Sequence, residues 1–274
     1  MDSLDREGIA CCARLSQEMI RTLSTQLIDA ELQRRPIAQI TADLPQMTIE
    51  DAYAVQTETI RRKMRSGEKI VGKKIGLTSK PMQTLLGVSQ PDYGILLSSM
   101  VVDEFEPVDS SELIQPKAEG EIAFILRTDL HGPGITVPDV LRATDAVMAC
   151  IEIVDSRVEN WKIRIQDTVA DNASSARLVL GGKLVGTRDL DLRLIGMILR
   201  KNGEIASTGA GAAVLGHPAS AVAWRANQLA QFGVGLRAGE VVLSGAITAA
   251  VPVSPGDIVC AEFDHLGAVT ARFR

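Results

Sequence analysis

The sequence predicts an α+β fold, with a helical first quarter and a strand-rich remainder. Three observations lead there. Residues 1 to about 67 carry helical signals and polar composition. Short apolar runs bounded by turn residues dominate the rest. Those runs do not alternate with helices in a βαβ rhythm, which argues against a doubly wound parallel sheet. We therefore expect a helical N-terminal extension over 1–67 and a β-rich domain over 68–274.

In the first part, residues 1 to about 45 read as helical and loosen at Pro36 and Pro45. TIED (48–51) is a capping box opening a helix to about Arg65, with Ile49, Tyr53, Ile60 and Met64 on one face and Ser66-Gly67 as its end. KIVGKKIGL then reads as a strand, and Ser79 with Pro81 starts a short helix stopped at Gly87. GILL and EIAFIL are strands, Thr136 to Asp139 begins a helix to about Met148, and CIEIVDS and RLVLGG are strands. LRLIGMILRKNGEIAST is a hairpin turning at Asn202-Gly203. Pro218 to Phe232 is a helix closed by Gly233, and EVVLSG, DIVCAEF and AVTARFR are strands, with a turn at Pro255-Gly256-Asp257.

Composition narrows the function. With 274 residues the chain is large enough for one domain plus an extension. A net charge of −5 and no basic stripe with aromatics argue against nucleic acid or an anionic membrane as partner. The N-terminal MDSLDREGIACCARL does not read as a secretory signal, and no apolar run reaches spanning length, so the expected location is cytoplasmic. Cys11, Cys12, Cys150 and Cys260 fit neither zinc spacing nor a disulfide framework and read as reduced, packed thiols. With only His131, His217 and His265, a histidine-based metal or triad site is disfavoured. GAGAAVLG matches no phosphate-binding loop and reads as a turn before a helix.

Chemistry concentrates in two strands. In QPKAEGEIAFIL (115–126), Glu119 and Glu121 share a strand face at the mouth of an apolar run. Adjacent carboxylates repel, so water, a shared proton or a divalent cation must offset them. In CIEIVDSR, Glu152 lies between two isoleucines, a setting where a carboxylate needs a partner. Three carboxylates from two strands can converge on one ion, and an all-oxygen set favours Mg²⁺ or Mn²⁺ over zinc. Lys74, inside VGKKIGL, reads locally as a strand lysine, and Lys73 beside it as one reaching solvent. Asp92 in QPDYG reads locally as a turn aspartate, and Tyr93 as a packed aromatic.

GEIAFIL followed some thirty residues later by IEIVDSR resembles the fumarylacetoacetate hydrolase superfamily. VGKKIGLTSKPMQTLLGVSQPDYG (71–94), LIQPKAEGEIAFIL (113–126) and WKIRIQDTVADNASS (161–175) resemble its 2-hydroxypenta-2,4-dienoate hydratases, over a match from about residue 48 to the end. The resemblance implies a mixed β-roll or sandwich core, a helical N-terminal region and assembly into homo-oligomers. It implies a metal held by Glu119, Glu121 and Glu152, with Lys74 and Asp92 in proton transfer. It implies addition of water to a short 2-hydroxydienoate, giving a 4-hydroxy-2-oxoalkanoate, in meta-cleavage breakdown of aromatic compounds. Leu77 and Thr78 would shape the pocket wall, and Gln166, Asn172 and Ser174, with Asp171, would contact substrate or its neighbours. Arg157 would pair with a site acid or form a structural ion pair. Ala246 departs from the serine of many relatives, leaving Ser244 or Thr248 to compensate.

Three other readings compete. A 2-oxo-3-hexenedioate (4-oxalocrotonate) decarboxylase would share the cradle and the lysine, but the acid before Tyr93 in QPDYG favours the hydratase. A fumarylpyruvate-type hydrolase would carry a His/Glu lid motif that is absent from the sequence. A non-catalytic partner subunit would not need an intact cradle. The expected substrate is the five-carbon acid, and association with a decarboxylase or aldolase of the pathway is an expectation from the family.

Overall fold

The computed structural model describes residues 14–274. The helical start expected before residue 14, together with Cys11 and Cys12, lies outside the described residues. The first part holds α1 (Gln17–Gln33), α2 (Ile40–Asp43) and α3 (Ile49–Arg65). The capping box of α3 is present: the Asp51 N–H donates to Thr48 Oγ1 at 3.1 Å, and the Thr48 N–H to Asp51 Oδ2 at 2.9 Å. Asp51 Oδ1 also accepts the backbone N–H groups of Arg14 and Leu15, tying the start of α1 to the start of α3. The buried face of α3 differs from the expected one. Asp51, Ala52, Ala54, Val55, Gln56, Thr59 and Ile60 are buried, while of the expected face Ile49, Tyr53 and Met64 are half-buried. Small residues let α1 approach closely, and the buried polar ones find partners: Gln56 Nε2 donates to the carbonyls of Tyr93 and Val169.

Two sheets make up the rest. The larger has β1 (Ile70–Gly76), β2 (Asp92–Leu97), β3 (Val101–Val102), β4 (Lys117–Leu126), β5 (Thr144–Val154), β6 (Ser175–Leu180), β9 (Val241–Leu243) and β10 (Val251–Pro252). Its order is β2-β1-β9-β4-β5-β6-β3, with β10 also on β4. The β1/β9 and β3/β6 pairs are parallel and the others antiparallel, so the sheet is mixed. The smaller sheet, in the order β12-β11-β7-β8, joins β7 (Gly196–Lys201), β8 (Glu204–Ala210), β11 (Ile258–Phe263) and β12 (Gly267–Arg272). It packs across β5 and encloses the main core, which includes Ile122, Phe124, Ile151, Leu199 and Val259. The remaining helices are α4 (Lys80–Leu86), α5 (Val137–Ala143), α6 (Ile165–Ala170) and α7 (Pro218–Ala230). Among the described residues, no helix is long and apolar enough to cross a membrane.

One expected boundary is wrong. The helix from Thr136 ends at Ala143, not Met148, and residues 144–148 begin β5. Ala146 to Ala149 pair in register with Ile125 to Ile122 of β4, and long-range pairing outweighs the helical tendency of the two alanines. Lys73 also differs from expectation. It is buried and its Nζ lies 2.7 Å from Glu240 Oε1, because its face of β1, shared with Ile75, packs into the main core.

Two glycines mark close approaches. A Cβ on Gly72 would lie 1.9 Å from the Val241 carbonyl oxygen, so β1 passes β9 only with a glycine there. A Cβ on Gly120 would lie 2.3 Å from Met197 Sδ, because the smaller sheet presses on β4 directly behind Glu119 and Glu121. Gly120→Ala should therefore lower stability by about 1–3 kcal/mol through overpacking. Thermal unfolding followed by circular dichroism should show the loss, and Met197→Ala in the same chain should recover part of it.

Candidate active site

The pairing of β4 with β5 assembles the site. Glu119 is the register partner of Glu152, and Glu121 of Cys150, so all three glutamates lie on one face. One carboxylate oxygen from each lies within 4.8 Å of the other two. Glu121 and Glu152 are buried, and Glu119 is half-buried at the open end. Each buried acid has a fixed neighbour. The Gly245 N–H donates to Glu121 Oε2 at 2.8 Å, and Ser175 Oγ donates to Glu152 Oε1 at 2.7 Å. Glu152 Oε2 accepts no hydrogen bond, although Lys74 Nζ stands 3.4 Å away as an ion-pair partner. The strands flanking β9 carry the lysine in: Lys74 is the register partner of Leu243, where β9 ends.

The electrostatics follow from burial. Desolvation raises Glu119 to about 7, with Lys74 opposing and Glu152 adding to the rise. Desolvation, reinforced by Glu152 and Glu119, raises Glu121 well above the ordinary glutamate range. Lys74 resists its own burial because Glu152, Asp92, Glu119 and Glu121 surround it, and the balance lies above its ordinary value. Burial also pushes up the Cys150 thiol, with Glu121 and Glu152 adding to it, as expected of a packed, unreactive cysteine. An oxygen-only set of acids that raise one another, with one acceptor lacking a hydrogen bond, fits a hard divalent cation.

Asp92 joins the site at the start of β2. It is the register partner of Gly76, and a Cβ on Gly76 would lie 2.2 Å from Asp92 Oδ1 and 3.4 Å from Lys74 Nζ. The two side chains therefore meet over that glycine. Asp92 Oδ1 is buried without a hydrogen-bond partner. Burial raises the Asp92 carboxyl, Lys74 opposes the rise and Glu152 adds to it.

The other expected residues divide into near and far. Thr78 is buried beside Gly245, whose Cβ would meet Thr78 Oγ1 at 2.2 Å, and so stands next to the Glu121 anchor. Leu77 adopts φ 54°, and its carbonyl accepts from Gln83 Nε2 at 2.9 Å. Asn172 gives its amide to β2: Nδ2 donates to the Ile95 carbonyl and Oδ1 accepts the Ile95 N–H. Ser174 is buried, with Oγ 3.4 Å from Asp171 Oδ2. Gln166 is half-buried on α6, and no hydrogen bond joins it to the carboxylates. Arg157 pairs through Nε with Asp171 and donates to the Asp171 carbonyl at 2.6 Å. Ser244 and Thr248, named in place of the hydroxyl that Ala246 lacks, are each engaged in one hydrogen bond. Ser244 Oγ donates to the Ile122 carbonyl, and Thr248 Oγ1 accepts from Ser207.

Sequence reasoning missed Ser175 and Gly245, which anchor the two buried acids, and a column beside Asp92. In that column the Tyr53 and Tyr93 rings stack with centroids 4.2 Å apart and planes 12° apart. The Arg225 guanidinium lies over the Tyr93 ring, with Cζ 3.3 Å from its centroid. An arginine in AVAWRANQLA, within the apolar stripe of α7, was the available signal.

Comparison with known proteins agrees with this geometry. The family model described as fumarylacetoacetate (FAA) hydrolase C-terminal matches residues 71–274. A 2-hydroxyhexa-2,4-dienoate hydratase of Comamonas testosteroni is 47% identical over 259 residues, covering 94% of this chain and 98% of the relative. A 2-hydroxypent-2,4-dienoate hydratase of Pseudomonas putida is 50% identical over 221 residues, covering 80% of this chain and 100% of the relative. The 4-oxalocrotonate decarboxylase of Pseudomonas putida G7, solved with magnesium and adipate, superposes with a TM-score of 0.93 at 46% identity, covering 96% of this chain and 100% of that one. The mixed fold, the acidic cluster and these likenesses converge: the chain belongs to the fumarylacetoacetate hydrolase family.

Proposed function

We propose that the chain is a metal-dependent hydro-lyase that adds water to 2-hydroxypenta-2,4-dienoate or a close homologue, giving 4-hydroxy-2-oxopentanoate from the five-carbon acid. The observation that carries this reading is the meeting of Lys74 and Asp92 over Gly76, beside the three-glutamate cluster. That places two proton-bearing groups next to a chelating site. Glu119, Glu121 and Glu152 would hold Mg²⁺ or Mn²⁺, which when bound supplies Lewis acidity to a chelated 2-oxo acid.

In this reading Lys74, kept charged by four carboxylates, holds the substrate's own carboxylate. Asp92, whose carboxyl burial raises against the opposing Lys74, delivers a proton to the far carbon of the dienol. The product of that step is a conjugated 2-oxo-3-enoate, electrophilic at C4. Water adds at C4 and gives its proton to the Asp92 carboxylate, which restores the acid. The proton released from the 2-hydroxyl is the one C3 finally receives. Thr78 and Leu77 form the wall nearest the Glu121 anchor, while Ser174, Asn172, Gln166 and Arg157 support or border the site.

The relatives' names support a hydratase most directly, and the decarboxylase neighbour supplies the second reading. We also take 1–67 as the helical extension and 68–274 as the catalytic domain, in a cytoplasmic homo-oligomer that belongs with the pathway's other enzymes.

The deciding assay generates the dienol in situ and follows loss of its ultraviolet absorbance with Mg²⁺ or Mn²⁺ present. Gain of one water by mass, abolished by chelator, is expected. Release of carbon dioxide from 2-oxo-3-hexenedioate without hydration would make the chain the decarboxylase. Asp92→Asn should lower kcat by about 10²- to 10⁴-fold, and Lys74→Ala should cut turnover with metal affinity retained. Glu119→Gln should weaken metal binding and activity together.

Proton competition gives a separate readout. Glu119 titrates near 7 in the folded chain against an ordinary value of 4.5, so the folded state binds the proton more tightly than the unfolded one. Metal-free protein should therefore lose stability as pH rises from about 4.5 through about 7, and cation affinity should strengthen over the same interval. Thermal unfolding with and without Mg²⁺ at pH 6 and pH 8 checks both. A metal-free protein no less stable at pH 8 would remove Glu119 from the cluster's charge balance.

A further inference from the structure

Two of the three glutamates already have one carboxylate oxygen engaged. Ser175 Oγ donates to Glu152 Oε1 at 2.7 Å, and the Gly245 N–H donates to Glu121 Oε2 at 2.8 Å. Glu152 Oε2 is buried and accepts no hydrogen bond. Each of these acids thus holds one oxygen back and keeps the other for a cation. A carboxylate divided in this way is a monodentate ligand, because a bidentate one turns both oxygens to the metal. With Glu119 giving one oxygen or two, the cluster offers three or four in all.

The donors are fixed from behind. Ser175 is 2% exposed at the start of β6, and its carbonyl accepts from Arg157 Nη1 at 3.3 Å and Nη2 at 3.4 Å. Arg157 is itself held by Asp171 and by the Asp155 carbonyl. Just before Ser175 the chain passes through the left-handed Asn172, Ala173 and Ser174, and the Asn172 amide ties that turn to Ile95. On the other side Gly245, at φ 109°, is packed against Thr78.

Denticity separates the hard cations. Mg²⁺ is satisfied by an octahedron of oxygens at about 2.0–2.1 Å, and Mn²⁺ accepts the same arrangement. Ca²⁺ gathers roughly six to eight oxygens at about 2.3–2.6 Å and commonly fills that larger shell with bidentate carboxylates. Two acids restricted to one oxygen each suit the octahedral ions and deny Ca²⁺ the bidentate contacts that would favour it.

We propose that Ser175, held by Arg157, is a positioning residue that keeps Glu152 monodentate and so biases the cluster toward Mg²⁺ or Mn²⁺ over Ca²⁺. The inference rests on the reading of Glu119, Glu121 and Glu152 as a metal site, and it adds which side chain sets the choice of ion. Gly245 acts on Glu121 in the same way, but through a backbone N–H that no side-chain substitution removes. Ser175 is therefore the half that mutation reaches.

The test measures Mn²⁺ and Ca²⁺ binding to the full-length metal-free protein. Electron paramagnetic resonance of free Mn²⁺ gives the first affinity, and competition of Ca²⁺ against bound Mn²⁺ gives the second. Wild-type protein should bind Mn²⁺ more tightly than Ca²⁺. Ser175→Ala should raise the ratio of Ca²⁺ to Mn²⁺ affinity by about tenfold, the scale of a charge-assisted hydrogen bond. A change in the basicity of Glu152 alone would move both affinities together and leave their ratio where it was. Ser175→Thr, which retains the hydroxyl, should keep the wild-type ratio, and melting curves check that both variants fold. A ratio unchanged in folded Ser175→Ala, or raised equally in Ser175→Thr, overturns the proposal and leaves the metal site and the hydratase reading standing. Wild-type protein that binds Ca²⁺ as tightly as Mn²⁺ overturns it without either variant. Binding of neither ion by wild-type protein overturns the reading of the metal site and the proposal with it.

Discussion

The mutual repulsion of Glu119, Glu121 and Glu152 is the constraint around which the catalytic half of the molecule is arranged. Three acids within a few ångströms of one another, two of them buried, cannot all ionise in a low-dielectric interior without compensating positive charge or donors. The fold supplies these from several elements. Lys74 arrives from β1, the Gly245 N–H from the turn after β9, and the Ser175 hydroxyl from the start of β6. The short β9 ends at Leu243, and the chain turns at Ser244-Gly245 to bring a backbone donor to Glu121. A metal ion completes a balance that the protein alone meets only in part, as Glu152 Oε2 shows by accepting no hydrogen bond.

Much of this was legible in the sequence, because short-range rules reported it. The i, i+2 spacing put Glu119 and Glu121 on one face, and an acid between two isoleucines marked Glu152 as a residue in need of a partner. The α3 capping box, the Asn202-Gly203 hairpin and the Gly87 stop read correctly for the same reason: each is decided within four residues. What failed was decided at long range. Residues 144–148 became strand because β4 lay alongside, and Lys73 was buried because its face of β1, shared with Ile75, packs into the main core. Gly245, Ser175 and Arg225 come from segments remote in sequence from the glutamates, so local pattern could not attach them to the site.

The two buried arginines illustrate what a guanidinium can do in an interior. Arg157 is wrapped in acceptors and fastens the loop after β5 to the turn at 171–175, where Asn172, Ala173 and Ser174 are all left-handed. That turn is strained, and the ion pair together with the Asn172 amide bonds to Ile95 holds it. Arg225, by contrast, has a ring on one side and no acceptor. The first is architecture, complete in itself. The second lies over Tyr93, on the face of β2 opposite Asp92.

The tandem lysines of β1 raise a problem of register. Lys73 and Lys74 point to opposite faces and each meets an acid, Glu240 on one side and Glu152 on the other. A slip of one residue would leave Gly72 opposite Glu240 or Ile75 opposite Glu152, so one of the two acids would lose its cation. The glycines forbid the same slips on steric grounds. Gly72 sits where any Cβ would meet the Val241 carbonyl at 1.9 Å, and Gly76 where one would meet Asp92 at 2.2 Å. After a slip in either direction Val71 or Lys73 would occupy the first place, and Ile75 or Leu77 the second. Two absent side chains, four residues apart, thus act as a steric ruler that decides which lysine enters the active site.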